Sequence, residues 1–242
     1  MMQVCLNGSR TAADGAVVPL SPEALAESAA GAVAAGGTQI HVHPRTPCGR
    51  ESVSPRVVAA TVTALRARVS VPVGVAAGAR AEPDPVARRE RVRGWTVLPD
   101  FASVPWHEPG AEDVAAALLG LGVGVEAGIR SGTDGAARLA ASPLGPRVLR
   151  VVAEVADPAP ETAQASAHAL LAELGGAHGR PVLLHGEQAG TWPVLRLAGR
   201  LGLAARIGLA DTLLLPDGQP ASSNAQLVTE GLLRYGCVRR SS

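Results

Sequence analysis

"IHVHPR", residues 40–45, is the stretch from which the rest of the chain is read. Side chains on a strand alternate between its two faces, so His41 and His43 share one face, roughly 6 to 7 Å apart along the backbone. Pro44 has no amide proton to continue a ladder, so the strand ends beside the second imidazole. Two imidazoles on one face at a strand end can reach one ion, or can be core histidines bonded to neighbouring strands or water.

Working outward, β-rich runs near 3–7, 38–43, 71–76, 96–104, 122–126, 147–154, 181–185 and 204–209 alternate with Ala- and Leu-rich stretches of helical spacing. Two of the helical stretches start with Ser-Pro, "SPEALAESAA" at Ser21 and "SPRVVAATV" at Ser54, which sets a capping hydroxyl before a proline at the first helical position. Gly36, Gly94 and Gly202 fall where helices should stop. Eight such units without a linker or composition break predict an α/β fold, a single (β/α)8 TIM barrel spanning residues 1–242. An open doubly wound sheet is the alternative, but no GxGxxG follows the first strand, and "GVGVEAG" at 122–128 only echoes it.

Composition narrows the function. With three Trp, one Tyr and one Phe, the core must be packed from Ala, Val, Leu and Ile, and layers of branched side chains suit a parallel barrel. A formal net charge of +1 with no basic block argues against nucleic acid as a partner. No apolar run approaches the ~20 residues that span a bilayer, and the N-terminus has no signal-like segment, so a soluble, cytoplasmic protein is expected. Cys5, Cys48 and Cys237 are far apart and outside any CxxC pair, so free reduced thiols are expected rather than a disulfide framework or a cysteine zinc site.

Barrel enzymes take their reactive groups from the carboxyl ends of the strands. Here those ends carry Asn7, His41, His43, Ser103, Glu126, Glu154, His185, Glu187 and Asp211. His107 also follows a strand end, whereas His168 and His178 fall on a helix and a loop. Arg206 and Asp211 can form an ordinary strand-end ion pair, and Arg45 can pair at the surface or bind an anionic group.

The order of "CLNGSR" (5–10), "IHVHPR" with "CGRES" (48–52), "GVEAG" (124–128), "RIGLADT" (206–212) and "SSNAQLV" (222–228) resembles the β-keto acid cleavage enzymes, such as 3-keto-5-aminohexanoate cleavage enzyme, over almost the whole chain. The resemblance implies a zinc-dependent (β/α)8 barrel, usually a homo-oligomer. Such an enzyme converts a β-keto acid and the co-substrate acetyl-CoA into acetoacetate and a new acyl-CoA, so its partners are a small β-keto acid and a CoA thioester. By the same resemblance His41 and His43 are two of three zinc ligands. Arg206 and Asp211 are the pair credited with taking a proton from the acetyl methyl group, and Glu126 is a further active-site carboxylate. Asn7, Arg45, Gly78 and Ser103 fall at substrate-binding positions. Because an arginine is a poor free base, the aspartate is expected to abstract or relay the proton while the guanidinium holds geometry and charge.

The chain departs from the family where it matters most. The third zinc ligand is a glutamate in the family motif Gly-Leu-Glu-Asp, and this chain has Ala210 there. A methyl group cannot hold a cation, and Asp211, Glu126, Glu187 or His185 are the expected substitutes. "GVAAG" (74–78) places Ala76 and Ala77 where relatives carry hydroxyls, and Pro105 replaces a polar residue. Three polar-to-apolar changes at one rim leave two expectations: an enzyme with altered substrate choice or impaired activity, or a non-catalytic barrel that binds a small acidic metabolite or CoA. A phosphate loop at "HGEQAG" (185–190) is a weaker third, since that loop has no basic side chain.

Overall fold

In the computed structural model, which describes residues 1–15 and 17–236, eight parallel strands close into a barrel in sequence order. The strands are β1 (Met2–Cys5), β2 (Gln39–Val42), β3 (Val73–Ala76), β4 (Phe101–Pro105), β5 (Gly124–Arg130), β6 (Arg150–Val155), β7 (Val182–Gly186) and β8 (Ala204–Ile207). β8 returns to pair with β1 through Met2 and Ala205, Gln3 and Arg206, and Val4 and Ile207, which leaves no sheet edge. The helices are α1 (Pro22–Ala34), α2 (Pro55–Arg66), α3 (Pro85–Arg93), α4 (Ala111–Gly120), α5 (Gly135–Ala141), α6 (Ala163–Glu173), α7 (Thr191–Leu201) and α8 (Asn224–Gly236). All eight expected strands form, although β4 begins at Phe101 rather than near 96.

Local chemistry sets the helix ends. The Ser21 hydroxyl accepts from the Ala24 amide at 3.1 Å and Pro22 opens α1, a cap whose removal to alanine costs about 1 kcal/mol. Ser54 stands in the same place before Pro55 but makes no side-chain cap bond, so α2 starts on the preset φ of its proline alone. Gly202 ends α7 in the left-handed region, as its place in the sequence suggests.

Period-two alternation sorts the strand residues. Val4, Ile40, Val42, Val75, Val125, Val151 and Ile207 are fully buried in the apolar layer between sheet and helices. The alternate positions turn inward, and there the expectation of branched apolar layers is overturned. Gln3, Gln39, Phe101, Glu126 and Arg150 fill the barrel floor. Glu126 Oε1 accepts from Gln3 Nε2 and from Arg150 Nε, each at 2.7 Å. Arg150 also donates to Gln39 Oε1, and its guanidinium lies 5.2 Å from the Phe101 ring centroid. The phenyl ring fits because β3 carries glycine at 74, where a Cβ would come within 1.9 Å of it. A buried carboxylate needs its charge matched, and Arg150 and Gln3 do so only in part: burial still pushes the Glu126 carboxyl above the usual carboxylate range. Among the described residues, no helix is long and apolar enough to cross a membrane.

Candidate functional site

Above the floor, the carboxyl ends of the strands open into a cavity of about 490 Å3. His41 and His43 line it, with ring centroids 5.4 Å apart and planes nearly perpendicular. Each has a carboxylate behind its Nδ1. For His43 this is Glu51 at 3.0 Å, and for His41 it is Glu126 at 4.0 Å, too long for a hydrogen bond. His41 Nδ1 is therefore buried without a hydrogen-bond partner. Burial first, then the charges of His43 and Arg206, hold His41 well below the usual histidine range, so its ring is neutral and able to donate a lone pair.

Cys5 completes the group. It pairs in register with His41 across the β1–β2 ladder, and its sulfur and one nitrogen from each histidine lie within 4.8 Å of one another. A zinc-sized ion, with bonds of about 2.0 to 2.3 Å to nitrogen and sulfur, would fit such a set once the donors drew in. Cys5, His41 and His43 are thus a possible metal site, contrary to the expectation that no cysteine belongs to one. The reading of strand-end polar residues passed over Cys5 because a cysteine on an apolar strand looks like core. Burial pushes its thiol up to about 12. Cys48 is an exposed free thiol, and Cys237 lies outside the described residues.

The remaining candidate residues divide. Gly78, Ser103 and Arg206 line the cavity, and so do Ala76, Pro105 and Ala210, three of the four apolar departures. Ala77 is buried off the wall, its amide donating to Ser103. Asn7, Arg45, Glu126 and Asp211 are not part of the wall. Asn7 accepts from the His43 amide at 2.9 Å and donates to the His43 carbonyl at 3.0 Å, so it fixes the backbone that carries the imidazole. Arg45 is neither a surface pair nor a cavity group. It is buried, donating to the carbonyls of Gly8 and Gly49, and so ties the loop after β2 to the turn after β1. Glu126 belongs to the floor.

Asp211 is fully buried behind Arg206, whose Nε and Nη2 donate to its Oδ1 at 3.1 and 2.8 Å. His185 Nδ1 lies 3.2 Å from the same oxygen, and its Nε2 lies 3.9 Å from Glu154. Burial opposes ionisation of Asp211, but Arg206 and His185 outweigh it and hold the carboxyl below its ordinary range. Glu154 does reach the cavity, together with Glu187, and Arg130 bonds both. Asp211 consequently has no direct contact with the cavity, and Arg206, which lines it, stands between. Sequence reasoning also missed Glu51, Arg80, Glu108 and Arg130 on the wall. Glu51 sits in the "CGRES" segment, and an antiparallel bridge between Arg45 and Glu51 folds that segment back over His43.

The sequence profile described as beta-keto acid cleavage enzyme (BKACE) matches residues 1–114 and 136–232. A search of curated proteins finds no match. Among solved structures, the "ternary complex of ObcA with C4-CoA adduct and oxalate" is similar at TM-score 0.69 and 16% identity, covering 91% of this chain. The present chain spans 64% of that protein's length. A type I 3-dehydroquinate dehydratase from Clostridium difficile is similar at TM-score 0.63 and 12% identity, covering 100% of this chain and 92% of its own. An N-acetylmannosamine-6-phosphate 2-epimerase from Clostridium perfringens follows at TM-score 0.56 and 16% identity, covering 87% of each chain. At these identities the structural likenesses speak for the barrel alone.

Proposed function

The chain belongs to the beta-keto acid cleavage enzyme family, and from that premise we propose that its cavity is the active site of a zinc-dependent acyltransferase. It takes a β-keto acid and acetyl-CoA and gives acetoacetate and a new acyl-CoA. The observation that carries this reading is the pair of imidazoles, His41 and His43, on the same cavity wall as Arg206. When bound there, zinc supplies Lewis-acid polarisation of the substrate's keto and carboxylate oxygens.

The chain's own groups do the rest. Asn7 and Glu51 fix the backbone and ring of His43. Arg206 stays cationic throughout and holds a substrate oxygen, while Asp211 keeps its guanidinium in place through two hydrogen bonds to Oδ1. The proton leaving the carbon that forms the new bond goes to a carboxylate. Glu154 is the one that both faces the cavity and approaches the buried His185–Asp211 pair, which spreads the charge change inward. Gly78 and Ser103 contribute the substrate-facing surface after β3 and on β4, beside the apolar Ala76 and Pro105.

The test is metal content after chelator-free purification, combined with a coupled assay for CoA exchange over a panel of β-keto acids. One zinc per chain, lost in His41→Ala with His43→Ala, and acetoacetate formation are the expected results. Zinc binding no better than in the double variant overturns the metal reading, and absence of exchange overturns the acyltransfer. Ala76, Pro105 and Ala210 on the wall favour a second reading, a barrel that binds an acidic metabolite or CoA without turnover. Bound CoA without exchange, in a protein that gains activity on Ala210→Glu, supports that second reading.

A further inference from the structure

We infer that Cys5 supplies the third metal ligand, completing a Cys–His–His set where Ala210 offers no donor. The inference rests on the reading of His41 and His43 as ligands, and the geometry extends it. Cys5 and His41 are register partners on adjacent parallel strands, so their inward side chains start about 4.8 Å apart, and His43 follows two residues on along the same face. Three donor atoms within 4.8 Å of one another are the outcome. The buried Nδ1 of His41 has no partner of its own, and the Glu51 carboxylate already engages Nδ1 of His43. The His43 ring is therefore oriented from behind, as metal-bound histidines commonly are, while His41 keeps a buried nitrogen without a hydrogen-bond partner.

The position of Ala210 explains why a donor on β1 can stand in for one after β8. β8 and β1 are neighbours, and the turn that follows Cys5 passes directly against Ala210. A Cβ on Gly8 would lie 2.6 Å from the Ala210 Cβ. The glycine, with φ of +52°, is what allows the two segments so close. A ligand lost from one segment is replaced from the segment it touches.

The chemistry balances. On metal uptake the Cys5 S–H bond breaks, the proton leaves to solvent, and a sulfur–metal bond forms with no change of oxidation state. A thiolate carries the same single negative charge as the carboxylate it replaces, so the net charge of the centre is unchanged. What changes is softness. Cys–His–His favours zinc and cobalt over magnesium or manganese, which prefer oxygen. One coordination position remains open for substrate.

Cobalt(II) loaded into chelator-stripped protein tests this. A near-ultraviolet thiolate-to-cobalt charge-transfer band is expected in the wild type, retained in Cys48→Ser with Cys237→Ser, and absent in Cys5→Ala. Competition titration should show Cys5→Ala losing more than the 10–100-fold typical of removing a group that only orients a ligand. Cys5→Ala with Ala210→Glu should recover affinity without the band. If Cys5→Ala does not fold, X-ray absorption of the zinc-loaded wild type gives the answer instead, through a metal–sulfur distance of about 2.3 Å. One equivalent of metal bound with neither band nor sulfur scattering overturns Cys5 and leaves the histidine pair standing. Binding no better than in the His41→Ala, His43→Ala protein overturns both.

Discussion

The barrel interior holds two polar layers of opposite character. On the floor, Glu126, Arg150, Gln3 and Gln39 bond one another, and the charges cancel within the layer. At the mouth, His41 Nδ1, both His185 nitrogens and Asp211 Oδ2 are buried without a partner meeting hydrogen-bond geometry, although His185 and Asp211 stand close. Buried polar atoms left without partners are costly, and a fold keeps them where something else gains. The floor is not free of such atoms, since Gln3 Oε1 is also without a partner, but its charged groups pair with each other, whereas the unpartnered nitrogens of the mouth stand on the rings at or behind the cavity.

The most severe way to break the contrast is Arg150→Met. It strips the buried Glu126 carboxyl of its cation, leaving only Gln3 to bond it, and should destabilise the protein by about 3–5 kcal/mol in denaturant unfolding. Adding Glu126→Gln should recover much of that loss. A single variant that unfolds like the wild type would mean the floor's charges are not what closes it.

At the mouth, Glu51→Gln weakens the orientation of His43 and should lower zinc affinity about 10–100-fold while leaving unfolding nearly unchanged. Equal effects on binding and stability would erase the distinction between the layers.

A finer test uses pH. Because Asp211 titrates below the ordinary carboxylate range in the fold, its stabilisation is fully present above the unfolded value of about 3.9 and is lost as pH falls through the lower folded value. Asp211→Asn should therefore be less stable at neutral pH and show a shallower loss between about pH 4 and the acid end. Parallel acid limbs for the two proteins would show that Arg206 and His185 do not hold this carboxylate.

Much of the fold was legible because its signals are local. Ser21 with Pro22, the spacing of Leu25, Ala29 and Ala32, and glycine at 202 each act within a turn or two of chain. Ser54 shows the limit, since a sequence match to a cap does not oblige the hydroxyl to bond. In the site, the shared face of His41 and His43 follows from strand alternation, and both do line the cavity. Asn7 and Arg45 fall at positions where the resemblance places substrate groups, yet their side chains are taken up by the backbone of neighbouring segments.

The sequence by itself determined eight alternating units, an apolar outer face on each strand, and one pair of imidazoles pointing together, all consequences of periods of 2 and 3.6 residues. Only the tertiary structure decided that Cys5 stands beside His41, that Glu126 pairs with Arg150 in the floor, and that Asp211 lies behind Arg206. Those facts depend on inter-strand register and on how a closed barrel stacks its inward side chains, which no single strand encodes.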